Sequence, residues 1–160
     1  MTKHQADEAE ALLDAVGPAF GKLRRSSLLE VAEPISPKDL SRTLVLNIVL
    51  EAEQDDGREV TVGAVAEHLG VDPSVASRMV SDSIGAGHLE RGASQQDGRR
   101  SVLHLTDQGR ELMARFRRHQ RAAYDQITAD WSERDRVELA RLMLRYVSCQ
   151  EALRGRAKGA

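Results

Sequence analysis

The sequence predicts a mainly α-helical chain carrying one small β-hairpin. Three observations lead there. Apolar residues recur at steps of three and four through most of the 160 residues, with polar caps or Pro at the points where they restart. One stretch, His88 to Leu105, changes to short strand-like runs around an Asp97-Gly98 turn. Between them, Leu69 to Pro73 is a tight turn that joins two short helical segments. The composition fits: 41% hydrophobic and 30% charged residues suit a folded, soluble chain, and the length suits one domain or two small lobes sharing a core.

Taken in order, the first helical pattern runs from about Asp7 to Val31, with Leu13, Val16, Phe20 and Leu23 forming one stripe. Gly17-Pro18 falls inside it, where proline removes a hydrogen bond, so a kink or a break into two short helices is expected. Residues 32–35 form a link. Ser36-Pro37-Lys38-Asp39 is a helix start: Ser36 as cap, Pro37 at the first helical position and Asp39 able to complete a capping box. The helix that follows carries Leu40, Leu44, Val45, Leu46, Ile48, Val49 and Leu50, which implies burial on more than one side. Residues 54–57 end it as a turn, and Glu59-Val60 has room for a very short strand.

Thr61 caps a short helix whose face is Val62, Val65, Ala66 and Leu69; Gly70-Val71 is the turn, and Asp72-Pro73 restarts a helix with an acceptor at the cap. Gly85 and Gly87 stop that helix near Ala86. The hairpin has strands near residues 88–91 and 101–105 and a tip at Gln96 to Arg99. Thr106 caps a long helix to about Thr128, with Leu112, Met113, Phe116, Tyr124 and Ile127 along one side. After Trp131-Ser132-Glu133 a last helix runs to about Leu153, with Leu139, Leu142, Met143, Tyr146 and Val147 at helical spacing; the remaining basic tail is expected to fray.

The order helix, turn, helix, hairpin is the layout of a winged helix-turn-helix. On the helix beginning at Asp72, Ser74, Ser77, Arg78 and Ser81 fall within roughly 100° of one another. Small hydroxyls allow a helix to approach base edges closely, and an arginine can bond bidentately to guanine or pair with a phosphate. A plain amphipathic surface helix is the competing reading, although its outer face would normally be richer in Lys and Glu. Arg99 and Arg100 follow the Asp97-Gly98 turn, where nothing needs to be packed, and arginine on a rigid arm can enter a narrow minor groove. Asp97, an acid beside the phosphates, is expected to hold Arg99 or the turn backbone. An ordinary hairpin with solvated charges competes here. The candidate DNA contacts are thus Pro73, Ser74, Ser77, Arg78, Ser81, Asp97, Arg99 and Arg100.

TVGAVAEHLGVDPSVASRMVSDSIGAGHLER, followed by DGRRSVLHLTDQGREL, resembles the MarR family of multiple-antibiotic-resistance-type regulators. The resemblance covers about residues 36–115; the flanking helices match only in layout. It implies a homodimer that binds a near-palindromic operator on double-stranded DNA, usually as a repressor released by a small-molecule effector. By position it makes Asp72 to Ala86 the recognition helix and Arg99 the wing arginine. Where the family often has a second acid stands Gly98, so the network holding the wing is expected to be weaker or to rest on Asp97 alone. Residues 1–35 and 107–160 would form a helical dimerisation lobe around a DNA-binding lobe of residues 36–106. A two-fold pair would set its recognition helices about 34 Å apart, one turn of DNA.

Other classes fare less well. Net charge is −2, which neither indicates nor forbids a nucleic-acid partner; the distribution counts for more, with Asp7, Glu8, Glu10 and Asp14 early and Arg110, Arg115, Arg117, Arg118 and Arg121 later. The arginine run suits a solvated face or pairing with the acidic N-terminus better than a DNA contact. No phosphate-cradling loop, zinc-protease motif or nucleophile elbow is present, so neither an enzyme nor a cofactor is expected. His4, His68, His88, His104 and His119 lack metal-ligand spacing. The single Cys149 excludes an internal disulfide and is expected to be a small buried residue near the dimer contact rather than a redox switch. No run is apolar enough for a membrane helix and no secretory signal is present, so a cytoplasmic, membrane-free protein is expected. The alternatives are a winged helix used for protein contacts, or a metal- or redox-sensing regulator of the same fold; the effector's lining residues are not legible.

Overall fold

The computed structural model describes residues 3–25, 35–55 and 58–158. They fall into two compact units, Met1–Glu30 and Val31–Ala160. The first unit is one helix, α1 (Lys3–Arg25), with Pro18 inside it. Of the kink or break expected at Gly17-Pro18, the break into two helices does not occur. Good helix formers flank the proline, Ala and Leu before and Ala, Lys and Leu after, and favour continuing the helix. The stretch the pattern assigned to the end of this helix, 26–31, and the link at 32–34 lie outside the described residues. Leu12, Leu13 and Leu23 on α1 are well exposed.

The second unit is built from local start signals. In α2 (Pro37–Gln54), Ser36 Oγ accepts from the Asp39 amide at 3.0 Å and Pro37 sits at the first position. The Asp39 carboxylate, expected to complete a capping box, pairs with Arg42. Thr43, Val45, Leu46, Ile48, Val49 and Ala52 are buried, whereas Leu44, expected in the core, is 53% exposed. In α3 (Val62–Leu69) Thr61 Oγ1 accepts from the Ala64 amide, and Gly70 closes the helix at φ 65°, a left-handed position suited to glycine. Pro73 then opens α4 (Pro73–Gly85) at its first turn. Asp72 occupies the cap position, but its side chain makes no capping bond, contrary to expectation; its backbone carbonyl takes the amides of Val75 and Ala76.

Strands β1 (Leu89–Ala93) and β2 (Ser101–Leu105) pair antiparallel, Leu89 opposite Leu105 and Ala93 opposite Ser101. β1 begins one residue later and ends two residues later than the composition indicates. Glu59-Val60 is not a strand, yet the Leu103 amide donates to the Val60 carbonyl at 2.9 Å, so the connection to α3 lies along the outer edge of β2. In α5 (Asp107–Ile127), Thr106 Oγ1 accepts from the Gly109 amide and donates to the Gly87 carbonyl. A Cβ on Gly109 would lie 2.1 Å from the His88 carbonyl oxygen, so only glycine allows this approach of α5 to the start of the hairpin.

α6 (Glu133–Lys158) begins where Ser132 Oγ accepts from the Asp135 amide, and it continues through the basic segment expected to fray. The core joins Leu46 and Val49 of α2, Val65 of α3, Val80 of α4, Leu89 and Leu103 of the hairpin, and Leu112 and Met113 of α5. The start of α5 therefore belongs to the winged-helix core. Ile127, aligned by pattern with Leu112 and Met113 on α5, is exposed, and so are Val137, Met143, Leu144, Val147 and Leu153 of α6. Cys149 is exposed as well, not buried within the chain.

Candidate nucleic-acid interface

α4 divides as its periodicity dictates. Ala76, Val80 and Ser83 are buried, and Ser83 Oγ donates to the Met79 carbonyl at 3.0 Å, so the one buried hydroxyl is satisfied. Ser74, Arg78 and Ser81 are exposed on the opposite side and Ser77 is half-buried at its border. Ser74, Ser77, Arg78 and Ser81 share one face, while Pro73 is exposed at the start of the helix, on the row of Ser77 and the buried Val80. Such a face presents hydroxyl donors and acceptors and one guanidinium with little side-chain bulk, which suits close approach to base edges.

The helix is aimed by a charge cluster that the sequence did not reveal. Arg42 of α2, largely buried, donates from Nε to Asp82 Oδ2 at 2.8 Å and from Nη2 to Oδ1 at 3.4 Å, while its Nη1 reaches Asp39 Oδ1 at 3.0 Å. Arg115 of α5 lies 3.8 Å from Asp39. The hydrogen bond from Arg42 holds the Asp82 carboxyl below its ordinary range against partial desolvation. For Asp39, burial pushes upward, but the Ser36 and Arg42 hydrogen bonds and the Arg42 charge prevail and lower it. His88 beside them is lowered by burial and by Arg42, with Asp39 and Asp82 opposing, so its imidazole is biased to the neutral form. A shallow cleft of about 230 Å³ lined by Ser41, Arg42, Arg78, Met79 and Asp82 separates α2 from the exposed face of α4.

At the other end of the site, Asp97, Arg99 and Arg100 are all exposed at the hairpin tip. Asp97 Oδ1 accepts from the Arg99 amide at 3.1 Å and its carbonyl from the Arg100 amide at 2.8 Å, so Asp97 holds the turn backbone in the way its position suggests. It does not hold the tip alone. Glu59 Oε2 accepts from Ser94 Oγ at 2.5 Å and Oε1 from the Gln95 amide at 2.6 Å; Ser94 Oγ accepts from the amides of Gln96 and Asp97. The Ser94 hydrogen bond, followed by those from the Gln95 and Gln96 amides and the charge of Arg100, keeps Glu59 below the usual carboxylate range. Glu59 and Ser94 were missed because the contact spans 35 residues and no local motif marks it.

The arginine run on α5 is paired within its own unit: Arg118 with Glu111, Arg121 with Asp125, and Arg115 with Asp39. Among the described residues, no group of three or more His, Cys, Asp or Glu side chains is placed to hold a metal ion. His68 Nδ1 lies 2.9 Å from the Ala64 carbonyl, and His119 is buried on α5.

A helix-turn-helix followed by a two-stranded wing, with α5 closing the core, defines a winged-helix protein. Residues 39–100 match the model of the MarR family, the family that the motifs of that segment resemble. Similar solved structures carry the same fold. RV1404 from Mycobacterium tuberculosis is 22% identical, with 94% of this chain and 97% of that one covered and a TM-score of 0.61. YusO from Bacillus subtilis is 18% identical, with 92% and 99% covered and a TM-score of 0.58. MepR from S. aureus, bound to ethidium bromide, is 17% identical, with 94% and 97% covered and a TM-score of 0.52. No curated protein matches the chain by sequence.

Proposed function

We propose that the chain is a sequence-specific transcription regulator that binds a near-palindromic operator as a homodimer, acting as a repressor released by a small molecule. One observation carries the reading: α4 exposes Ser74, Arg78 and Ser81 on one face, and the same unit carries an exposed, hydrogen-bonded turn with Arg99 and Arg100. In this reading α4 enters the major groove, with Arg78 on a guanine or a phosphate, and the wing arginines enter the adjoining minor groove. The match of residues 39–100 to a family of regulators supports regulation over catalysis.

The dimer is supported by what single chains leave uncovered. Val137, Met143, Leu144, Val147 and Leu153 are each close to half exposed or more on α6, and α1 on its own cannot bury Leu12, Leu13 and Leu23. Exposed apolar surface on this scale marks an interaction face. Residues 1–35 and 107–160 would then supply the dimerisation lobe and 36–106 the DNA-binding lobe. An effector is supported by fold alone, since the similarly folded MepR is a structure with ethidium bound. No described helix is long and apolar enough to cross a membrane, in keeping with a regulator working on DNA in the cytoplasm.

Selection from random double-stranded DNA by the purified chain, at a stated salt concentration, tests the proposal. An enriched palindrome with half-sites one helical turn apart is the expected outcome. Absence of any enriched sequence would replace the regulator with a winged helix used for protein contacts.

A further inference from the structure

The β-ladder ends at the Ala93–Ser101 pair, and beyond the Ser94 amide, which still reaches across to the Arg100 carbonyl, the tip lies outside the ladder. A hairpin tip in that position is ordinarily a mobile loop. Here it is tied from two sides. Within the tip, Asp97 accepts from Arg99 and Arg100, and the Arg100 carbonyl accepts from the Ser94 amide at 2.9 Å. From outside, Glu59 accepts from the Ser94 hydroxyl and from the amides of Gln95 and Gln96. Ser94 is itself buried, and its hydroxyl, oriented by donating to Glu59, accepts from Gln96 and Asp97. Glu59 has a fixed footing because the next residue, Val60, is bonded through its carbonyl to Leu103 of β2.

We propose that Glu59 is a positioning residue for the wing, fixing through Ser94 the turn that presents Arg99 and Arg100 to DNA. This rests on the DNA-binding reading for its consequence, though the brace itself does not. The chemistry is specific to a carboxylate. An ionised carboxylate only accepts, and all three of its partners donate; a glutamine of nearly the same shape would turn an N–H₂ toward one of them. Charge-assisted bonds from backbone amides are also stronger than neutral ones. A pre-set tip loses less conformational freedom when it enters a groove, which favours affinity without a direct contact.

Two measurements on Glu59→Gln test it. Hydrogen exchange on the free protein should show the Gln95 and Gln96 amides opening about tenfold faster, with the core amides of α2 unchanged. Unchanged exchange at the tip would overturn the brace, whatever the protein binds. On the selected operator, the substitution should weaken binding about tenfold in the otherwise native chain and less than about twofold when Arg99 and Arg100 are both alanine, because the loss runs through them. An equal loss in both backgrounds would overturn the positioning role and leave Glu59 as a contributor to folding only. Ser94→Ala, which removes the intermediate hydroxyl, should reproduce the exchange result. If no operator is selected, the DNA reading falls, and the exchange result alone decides whether Glu59 holds the wing.

Discussion

Arg42 and Asp82 join α2 to α4 through two parallel contacts, Nε to Oδ2 at 2.8 Å and Nη2 to Oδ1 at 3.4 Å. A fork-to-fork pair fixes orientation as well as distance, so the direction of α4 relative to the core depends on Arg42. Arg42→Met keeps much of the buried stem and removes the fork. It should weaken operator binding more than it lowers the thermal midpoint, since Val80 and Ala76 still anchor α4 in the core. A fall in midpoint with unchanged affinity would show that the pair serves stability alone.

The same cluster sets a response to acid. Asp82 and Asp39 are both held below their ordinary value of 3.8 by Arg42, with Ser36 also acting on Asp39, and Glu59 is held below 4.5 by the wing. A depressed carboxyl contributes stability that is complete above its unfolded value and is lost as pH falls through its folded value. Stability should therefore be insensitive to these three groups above about pH 5 and decline below about pH 4. Denaturant midpoints across that range should fall less steeply in Arg42→Met, because Asp82 and Asp39 then titrate nearer their unfolded values.

Gly109→Ala should destabilise the chain by about 2–3 kcal/mol, as overpacking against backbone does. The reason is steric: the new Cβ would meet the His88 carbonyl oxygen at 2.1 Å, and a backbone atom cannot rotate away. Chemical denaturation measures it. A change below about 0.5 kcal/mol would mean that α5 shifts without cost.

Arg99→Ala should weaken operator binding while leaving the thermal midpoint in place, because its side chain is exposed and it is the Arg99 amide that bonds Asp97. Equal affinity at physiological salt would remove Arg99 from the minor groove. Arg78→Ala should reduce discrimination by about 1–3 kcal/mol if the guanidinium reads a base. An equal loss on random DNA would assign Arg78 to a phosphate instead.

Placing glutamate at both Met143 and Val147, exposed and one turn apart on α6, should convert a dimer to a monomer in sedimentation experiments. Burying two carboxylates in an apolar contact is strongly unfavourable, whereas on a solvated face it costs little. A chain that sediments identically with and without the substitutions would move the dimer contact elsewhere.

What the sequence disclosed and what it hid divide along sequence distance. Ser36-Pro37, Thr61, Gly70, Pro73 and Thr106 were legible because caps and turns are local: each acts on an amide or a torsion within three residues. The polar face of α4 followed from helical geometry alone. Leu44 was misread as buried because periodicity marks apolar positions without saying whether a neighbouring element in the same chain covers them; Cys149, expected at a contact between copies, is exposed in the single chain. The Asp72 side chain shows that a suitable cap residue need not use its side chain when its backbone carbonyl already serves. Arg42–Asp82 and Glu59–Ser94 were invisible because each spans 35 residues or more, and only the fold brings the partners together.

The connection at 58–60 also limits how the wing can be exchanged between proteins. The hairpin is tied at Leu103 by Val60 and at its tip by Glu59, neither of which belongs to it. A graft of residues 88–105 onto another scaffold would carry the arginines but leave behind the segment that orients them. On the proposed DNA-binding reading, changing DNA preference by wing transplantation would require residues 58–60 to travel with the hairpin, as one unit discontinuous in sequence.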